Sequence, residues 1–369
     1  GDLTGLNRVV WTLSHIVADN KFMTIFSILY GAGIILITKK LDENGQSSAT
    51  LHYKRTFWLL VIGLAHAYLL WYGDILVTYA LVAMVVYFFR KLSPRWLIGL
   101  GIVTLGLGMF LQLFTAVGMP NLPPELLAEF EAGWQPSAKI VAAETAVYQN
   151  TWLAQMTDRV PASIEMQTTA FLFSGMWRAG GLMLIGMALF KLGILTAQRS
   201  NKYYRNLLIA GFGIGLPVVI FGIVNNFANG WTLAYSRFIG SQFNAIGSIG
   251  VSLGYIAIIM LIAKSGRFEQ GIRPFSSVGR MALSNYLFHT LAATFIFYGH
   301  GLGLFGQVER IGQLLIVLGI WSVQLIISPI WLRHFRFGPA EWLWRSLTYG
   351  KLQPMKAHPA PRKVAATNR

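Results

Sequence analysis

The sequence predicts an all-α, polytopic membrane bundle, and three observations carry that prediction. Of its 369 residues, 54 % are hydrophobic and only 12 % are charged, about half the charge of an ordinary soluble domain. Mean hydropathy is +0.53. Runs such as TFWLLVIGLAHAYLLWY (56–72), WLIGLGIVTLGLGMFLQLFTAVG (96–118) and IGQLLIVLGIWSVQLIISPIW (311–331) are each about as long as a helix needs to cross ~30 Å of hydrocarbon. No stretch has the composition of a separate soluble domain, so residues 1–350 read as one transmembrane helical domain.

Taken in order, the apolar runs give nine spans: 20–38, 56–72, 75–89, 96–118, 168–190, 206–224, 239–262, 281–298 and 311–331. The third is short and continuous with the second. Small residues recur at Gly211-x3-Gly215 and Gly250-x3-Gly254, a spacing that lets helices approach closely. The long loop 119–167 separates the fourth span from the fifth. Within it, LPPELLAEFEA (122–132) reads as a short helix after the prolines, and SAKIVAAETAVYQNTWLAQM (137–156) as a longer one with Ser137 as N-cap. Their partly apolar faces suit a cover over the mouth of the bundle, a cap rather than a substrate lid. After the ninth span, Pro339 suits a first helical turn and Glu341 the positive end of a helix dipole. Trp342, Leu343, Trp344 and Leu347 alternate with Arg345, which predicts an interfacial helix near 339–348 with its indoles at the lipid headgroups. Residues 351–369 read as a basic, disordered tail.

Charge placement sets the orientation. The connections 39–55, 90–95, 191–205, 263–274 and the segment 333–369 hold 22 of the 30 Lys and Arg residues, so this set is cytoplasmic, with the C-terminus inside and the N-terminus outside. The loop 119–167 carries Glu125, Glu129, Glu131, Glu144, Asp158 and Glu165 against Lys139 and Arg159, as suits the outer face. The net charge of +16 is then a positive-inside signal and an attraction to anionic lipid, not a nucleic-acid site. The chain has no cysteine, which excludes disulfides, thiolate metal ligands and cysteine nucleophiles. It has no HExxH, Walker or GxGxxG pattern and no metal-ligand spacing, so neither a metal nor a tightly bound cofactor is expected.

Polar groups inside spans are the best functional pointers in such a sequence. His66 lies in GLAHAYLLWYGDIL (63–76), and Asp74 follows at the Gly73 break. The two suit a proton acceptor and a carboxylate that orients it; the alternative is an interhelical hydrogen bond from His66 and a helix cap from Asp74. Arg178 lies mid-span and needs protein, water or an anion, with Asp74 or a ligand as candidate partner. Asn285 and His289 share a helix face at i, i+4. Gln242 and Asn244 open the seventh span, and Gln324 lies in the ninth. These readings combine into one expectation: His66 faces a cavity running toward Asp74, with Arg178, Asn285, His289 and Trp71 contributing to its wall.

Four stretches, KFMTIFSILYGAG (21–33), GLAHAYLLWYGDIL (63–76), VGRMALSNYL (278–287) and WLRHFRFGPAEWLWRSLTYG (331–350), resemble in their order the YeiB-like bacterial inner-membrane proteins, a family with a domain of unknown function. The resemblance runs from about residue 15 to 350. It implies an upstream span bearing an Asp…Arg-Gly motif, which would make ten spans with the N-terminus inside. The family is in turn similar in arrangement to the transmembrane acyltransferases, which pass an acyl group from a cytoplasmic CoA donor to a sugar on the far face. What this implies is an acyl-CoA co-substrate held by Lys54, Arg55, Arg280, Arg333 and Arg336, an envelope glycan or lipid as acceptor, and membrane lipids as neighbours. The histidine that many of those enzymes carry in or beside the first span has no counterpart here, so His66 is its substitute. A transporter or flippase, or a structural membrane protein, stays open beside the enzyme.

The orientation is testable by labelling. Cysteines placed in 119–167 should react with an impermeant thiol reagent added outside the cell, and cysteines in 351–369 should not; the native absence of cysteine leaves no background. Labelling of the tail from outside would reverse the orientation.

Overall fold

Each predicted span contains a helix, and most breaks fall at turn-forming residues. The computed structural model describes residues 3–356. The first predicted span, 20–38, lies in α2 (Lys21–Glu43); α1 (Gly5–Val17), which the sequence reading did not place, precedes it, and the two are divided where Asn20 adopts a left-handed φ of 62°. α3 (Ala49–Leu69) and α4 (Leu76–Val86) form a hairpin broken at Gly73–Asp74. α5 (Pro94–Gly118) starts on a proline, which lacks the N–H that the first turn would leave unpaired. α6 (Pro124–Trp134), α7 (Ala138–Tyr148) and α8 (Met156–Gln167) lie in the long loop. α9 (Met176–Lys191) is entered through a π-helical turn, Phe171–Gly175. α10 (Asn201–Ala228) is capped by Ser200, whose Oγ accepts from Tyr203 N at 3.2 Å. α11 (Ser241–Ser265) follows a second π-helical stretch, Leu233–Gly240. The chain then forms α12 (Glu269–Arg280), α13 (Ala282–Phe297), α14 (Arg310–His334) and α15 (Pro339–Tyr349).

Six helical stretches are long and apolar enough to cross a membrane: Gly5–Glu43, Pro94–Asn121, Met156–Lys191, Asn201–Ala228, Leu233–Ser265 and Arg310–His334. α13 is a shorter apolar helix. Helix is the only spanning solution open to a chain with no closed sheet, because hydrocarbon offers backbone groups no other partner.

The centre of the bundle is α9, buried along most of its length from Ala179 to Leu189. Met183, Leu184 and Met187 pack with Ile34 and Ile35 of α2, Tyr79 and Val82 of α4 and Leu97 of α5. Glycines make the approach close: a Cβ on Gly31 would collide with the Met183 backbone, and one on Gly186 with the Ile28 backbone. Gly211 and Gly215 likewise bring α10 onto the backbone of α11 at Gly250, Gly254 and Gly247, as the small-residue spacing predicts.

Two expectations need correction. The helix expected over 137–156 ends at Tyr148, because the buried Gln155 side chain folds back and donates to Tyr148 O (3.1 Å) and Asn150 O (2.9 Å). The connection 263–274 is partly helical, since α12 begins at Glu269 and leaves Phe268 and Phe275 exposed. The indole N–H groups of α15 bond to the protein: Trp344 Nε1 donates to Arg55 O at 2.8 Å and Trp342 Nε1 to Gln353 O at 2.7 Å. Glu341 lies in the first turn of α15, as expected, and also caps a second helix. Its carboxylate accepts from Leu283 N (2.6 Å), Ser284 N (3.1 Å) and Ser284 Oγ, and so closes the N-terminus of α13. Residues beyond α15 turn back so that Arg336 N donates to Met355 O at 2.9 Å, while the rest of the predicted tail, 357–369, lies outside the described residues.

The glycine contact has a direct test. Gly186→Ala should lower the melting temperature by the equivalent of ~1–3 kcal/mol, the usual cost of overpacking. Gly33→Ala, on α2 where a Cβ meets nothing, should leave it unchanged or raise it slightly. Equal melting temperatures for the two variants in the same detergent would contradict the α2–α9 contact.

Candidate functional site

The break after α3 brings together two residues eight apart in sequence. His66 lies on the last turn of α3, and Asp74 opens α4, where its Oδ1 accepts from Val77 N at 2.8 Å as a helix cap. The other carboxylate oxygen, Oδ2, stands 2.7 Å from His66 Nδ1 and accepts from Tyr286 OH at 3.2 Å. On the far side of the ring, Nε2 is 2.9 Å from Thr290 Oγ1. Both side chains are 1 % exposed, and the Tyr286 ring lies over the imidazole with centroids 4.9 Å apart. α13 supplies Tyr286 and Thr290 at i, i+4 while Leu283, one turn earlier, packs with Leu59 of α3. Asp74 therefore does both things the sequence left open: it caps a helix and faces His66. The carboxylate beside Nδ1 favours a proton on that nitrogen, but the 2.7 Å approach lacks hydrogen-bond alignment and leaves Nδ1 without a bonded partner.

The long loop closes the end of α3 above this pair. Trp152 Nε1 and Arg159 Nη1 donate to Leu69 O at 2.8 and 3.2 Å, and Ser163 Oγ donates to Ala67 O at 3.1 Å. These bonds satisfy carbonyls that a helix end otherwise leaves open. Tyr148 anchors the loop between Tyr298 and Phe305. Burial pushes its hydroxyl up to about 12, so the phenol is neutral in that stack.

Arg178 and Asn285 make their hydrogen bonds elsewhere, so the four polar positions do not form one shared cluster. Arg178 donates to Thr24 Oγ1 and Ser248 Oγ, each at 2.8 Å, and to Ala245 O at 3.1 Å. Its expected acidic partner Asp74 is held by His66 instead. Asn285 joins α13 to α14 through Val278 O (3.1 Å) and Ser328 Oγ (3.2 Å), and Gln324 Nε2 donates to its carbonyl at 2.9 Å. His289 is half-buried on the same helix. Trp71 is 38 % exposed and folds over Gly73 at the break. Of the five predicted donor cations, Arg55 lines a cavity with Lys40 and Arg345. Lys54 and Arg333 are exposed, and Arg280 Nη2 reaches Arg336 O at 3.4 Å.

A second buried polar network escaped the sequence reading. Lys21 is fully buried and donates to His15 O (2.5 Å) and Asn244 Oδ1 (2.7 Å). Asn244 Nδ2 donates to Asp19 Oδ2 at 2.9 Å, and His15 Nδ1 lies 2.9 Å from the same oxygen. Lys21 opens an apolar run and so resembles an interfacial anchor. The signal that could have found it is the turn-forming Asp19-Asn20 between two apolar runs. Among the described residues, no group of three or more His, Asp or Glu side chains is placed to hold a metal ion.

A family model described as "Protein of unknown function (DUF418)" matches residues 189–351. The chain is 31 % identical over 365 residues to "Uncharacterized protein YeiB" of Escherichia coli (strain K12), an alignment covering 94 % of this chain and 86 % of that one. It is 30 % identical over 348 residues to "Uncharacterized protein YxaH" of Bacillus subtilis (strain 168), covering 91 % and 81 %. An "Uncharacterized 39.9 kDa protein in amylase 3'region" of Bacillus acidopullulyticus is 25 % identical over 355 residues, covering 96 % and 87 %. No solved structure matches the chain.

The Arg178 contacts predict a stability difference. Arg178→Leu removes three part-buried hydrogen bonds, at ~1–3 kcal/mol in all, whereas Arg199→Leu removes only an exposed bond to Leu192 O. Melting of the two purified variants should show the larger fall for Arg178→Leu, and equal melting would deny that Arg178 is a structural donor.

Proposed function

Because the chain belongs to the YeiB-like family of unknown function (DUF418), and its helices are those of an integral membrane protein, we propose that it is a bacterial inner-membrane acyltransferase. It passes an acyl group from a cytoplasmic CoA thioester to a hydroxyl of an envelope glycan or lipid at the outer face. The observation that carries the reading is the line Asp74–His66–Thr290, with contacts of 2.7 and 2.9 Å on opposite sides of one imidazole. A carboxylate on Nδ1 holds the ring in the tautomer whose Nε2 accepts a proton, and a hydroxyl already stands at Nε2.

In the transfer, Nε2 takes the proton of the attacking hydroxyl as its oxygen forms a bond to the thioester carbonyl carbon. The carbon–sulfur bond breaks, the thiolate leaves, and the imidazolium returns the proton to it. Asp74 stabilises the imidazolium between these steps, and Tyr286 OH and Val77 N hold the carboxylate in place. The loop over the end of α3 keeps bulk water from a reactive thioester.

One observation favours a transporter as the second reading. The chain breaks between α1 and α2 at Asn20, next to the buried Lys21 and near the half-buried Arg178, and broken helices with buried charge are where transporters hold solutes.

Release of free thiol from acetyl-CoA by the protein in nanodiscs of bacterial envelope lipid extract, which supplies acceptor hydroxyls, separates the readings, and a chain without cysteine gives no background signal. The wild type should release thiol, and His66→Gln, which keeps a polar group against Asp74, should slow release by roughly 10²–10⁴-fold with little change in melting temperature. No release by the wild type, or equal release by the variant, would remove the acyltransferase reading and leave the transporter.

A further inference from the structure

At the end of the bundle where the basic connections gather, a cavity of about 570 Å³ opens between the C-terminal end of α2, the N-terminal half of α3 and the docked helix α15. Three cations line it: Lys40 from α2, Arg55 from α3 and Arg345 from α15. No acidic residue lines it. The acids nearest in sequence are committed elsewhere. Asp42 receives Arg90 Nε and Nη2 at 3.0 and 3.2 Å and Ser48 Oγ at 2.7 Å. Glu43 lies 3.6 Å from Lys39, and Glu341 caps α13.

The two arginines are held by rings, not by acceptors. Arg55 stacks on Trp344 at 4.2 Å, and Arg345 lies over Phe337 at 4.5 Å. Among the described residues, none of the three side chains has a hydrogen-bond or ion-pair partner, and Arg345 Nε is buried without one. Stacking orients a guanidinium while leaving its N–H edge free, and a planar fork of free donors matches phosphoryl oxygens. Asn44 and Gln46 add neutral polar groups to the same wall, and aliphatic side chains from α2 and α3 complete it.

The geometry points to a binding site for a phosphoryl anion, held by Lys40, Arg55 and Arg345 between α2, α3 and α15. Three unpaired positive charges converging on one space exceed what one singly charged group would neutralise, so the ligand carries a diphosphate or a phosphodiester with further polar groups. The volume leaves room beyond a single phosphate. Two sources offer this chemistry, the headgroup of an anionic phospholipid and a soluble phosphate ester, because the cavity lies at the bundle end that meets both. The site is independent of the chemistry proposed for His66.

The test uses the whole protein in phosphatidylcholine nanodiscs with inorganic pyrophosphate as the soluble probe, and native mass spectrometry after exposure to phosphatidylglycerol as the lipid probe. A pyrophosphate-dependent rise in melting temperature, with binding weakened at least about tenfold in Lys40→Gln/Arg345→Gln and kept in the control Lys39→Gln, supports a soluble ligand. Retention of phosphatidylglycerol by the wild type and its loss in the double variant, without a pyrophosphate effect, supports a lipid. Lys40→Gln alone, at an exposed position, repeats either measurement if the double variant does not fold. No response to either probe, or the same response in wild type and variants, overturns the site.

Discussion

The close approach of α2 to α9 is the contact on which the rest of the bundle depends. In hydrocarbon, apolar surface gains little by meeting apolar surface, so helices associate through close packing and through polar groups that need partners. Gly31 and Gly186 each leave out a side chain where the other helix's backbone passes. That approach puts Thr24 beside Arg178 and Ile34 and Ile35 against Met187. α5 uses the same device on another face of α9, where Gly101 and Gly181 each lie against the other's backbone. With α9 enclosed in this way, Arg178 bonds to protein, and α11 supplies Ser248 and Ala245 for that purpose.

The polar interior divides by how each group is satisfied. Arg178 has neutral acceptors, and Lys21 has a carbonyl and an amide with Asp19 next along the network. These arrangements hold α1, α2, α9 and α11 together. His66 and Asp74 differ in kind, because a titratable ring lies between a carboxylate and a hydroxyl. His52, by comparison, bonds through Nε2 alone, to Ala83 O at 3.0 Å and Thr56 Oγ1 at 3.5 Å. His66 has a hydroxyl at Nε2 and a carboxylate 2.7 Å from Nδ1.

The bundle itself was legible because hydrocarbon imposes length and composition on each span directly. His66 and Asp74 stood out for the same reason, since polar residues in apolar runs are few. Their contact was not legible: it depends on how the chain turns at Gly73, and helical spacing alone puts them two turns apart. Thr290 and Tyr286 gave no signal, because hydroxyls are common in membrane helices and only the alignment of α13 with α3 gives these two a role. Lys21 was hidden by its place at the start of an apolar run, where sequence carries no information about depth. Lys40 and Arg345 are 305 positions apart in the numbering and meet only because α15 folds back.

That fold-back bears on how the protein is made. A membrane chain is inserted from its N-terminus, so α13 enters the bilayer before residue 341 has been synthesised. Until then the amides of Leu283 and Ser284 have no carboxylate to bond, and the helix carrying Tyr286 and Thr290 has an open end. Glu341 closes it from a helix made well after α13, with Trp344 fastening the same helix to Arg55 O. The His66 environment is thus finished only when translation is nearly complete.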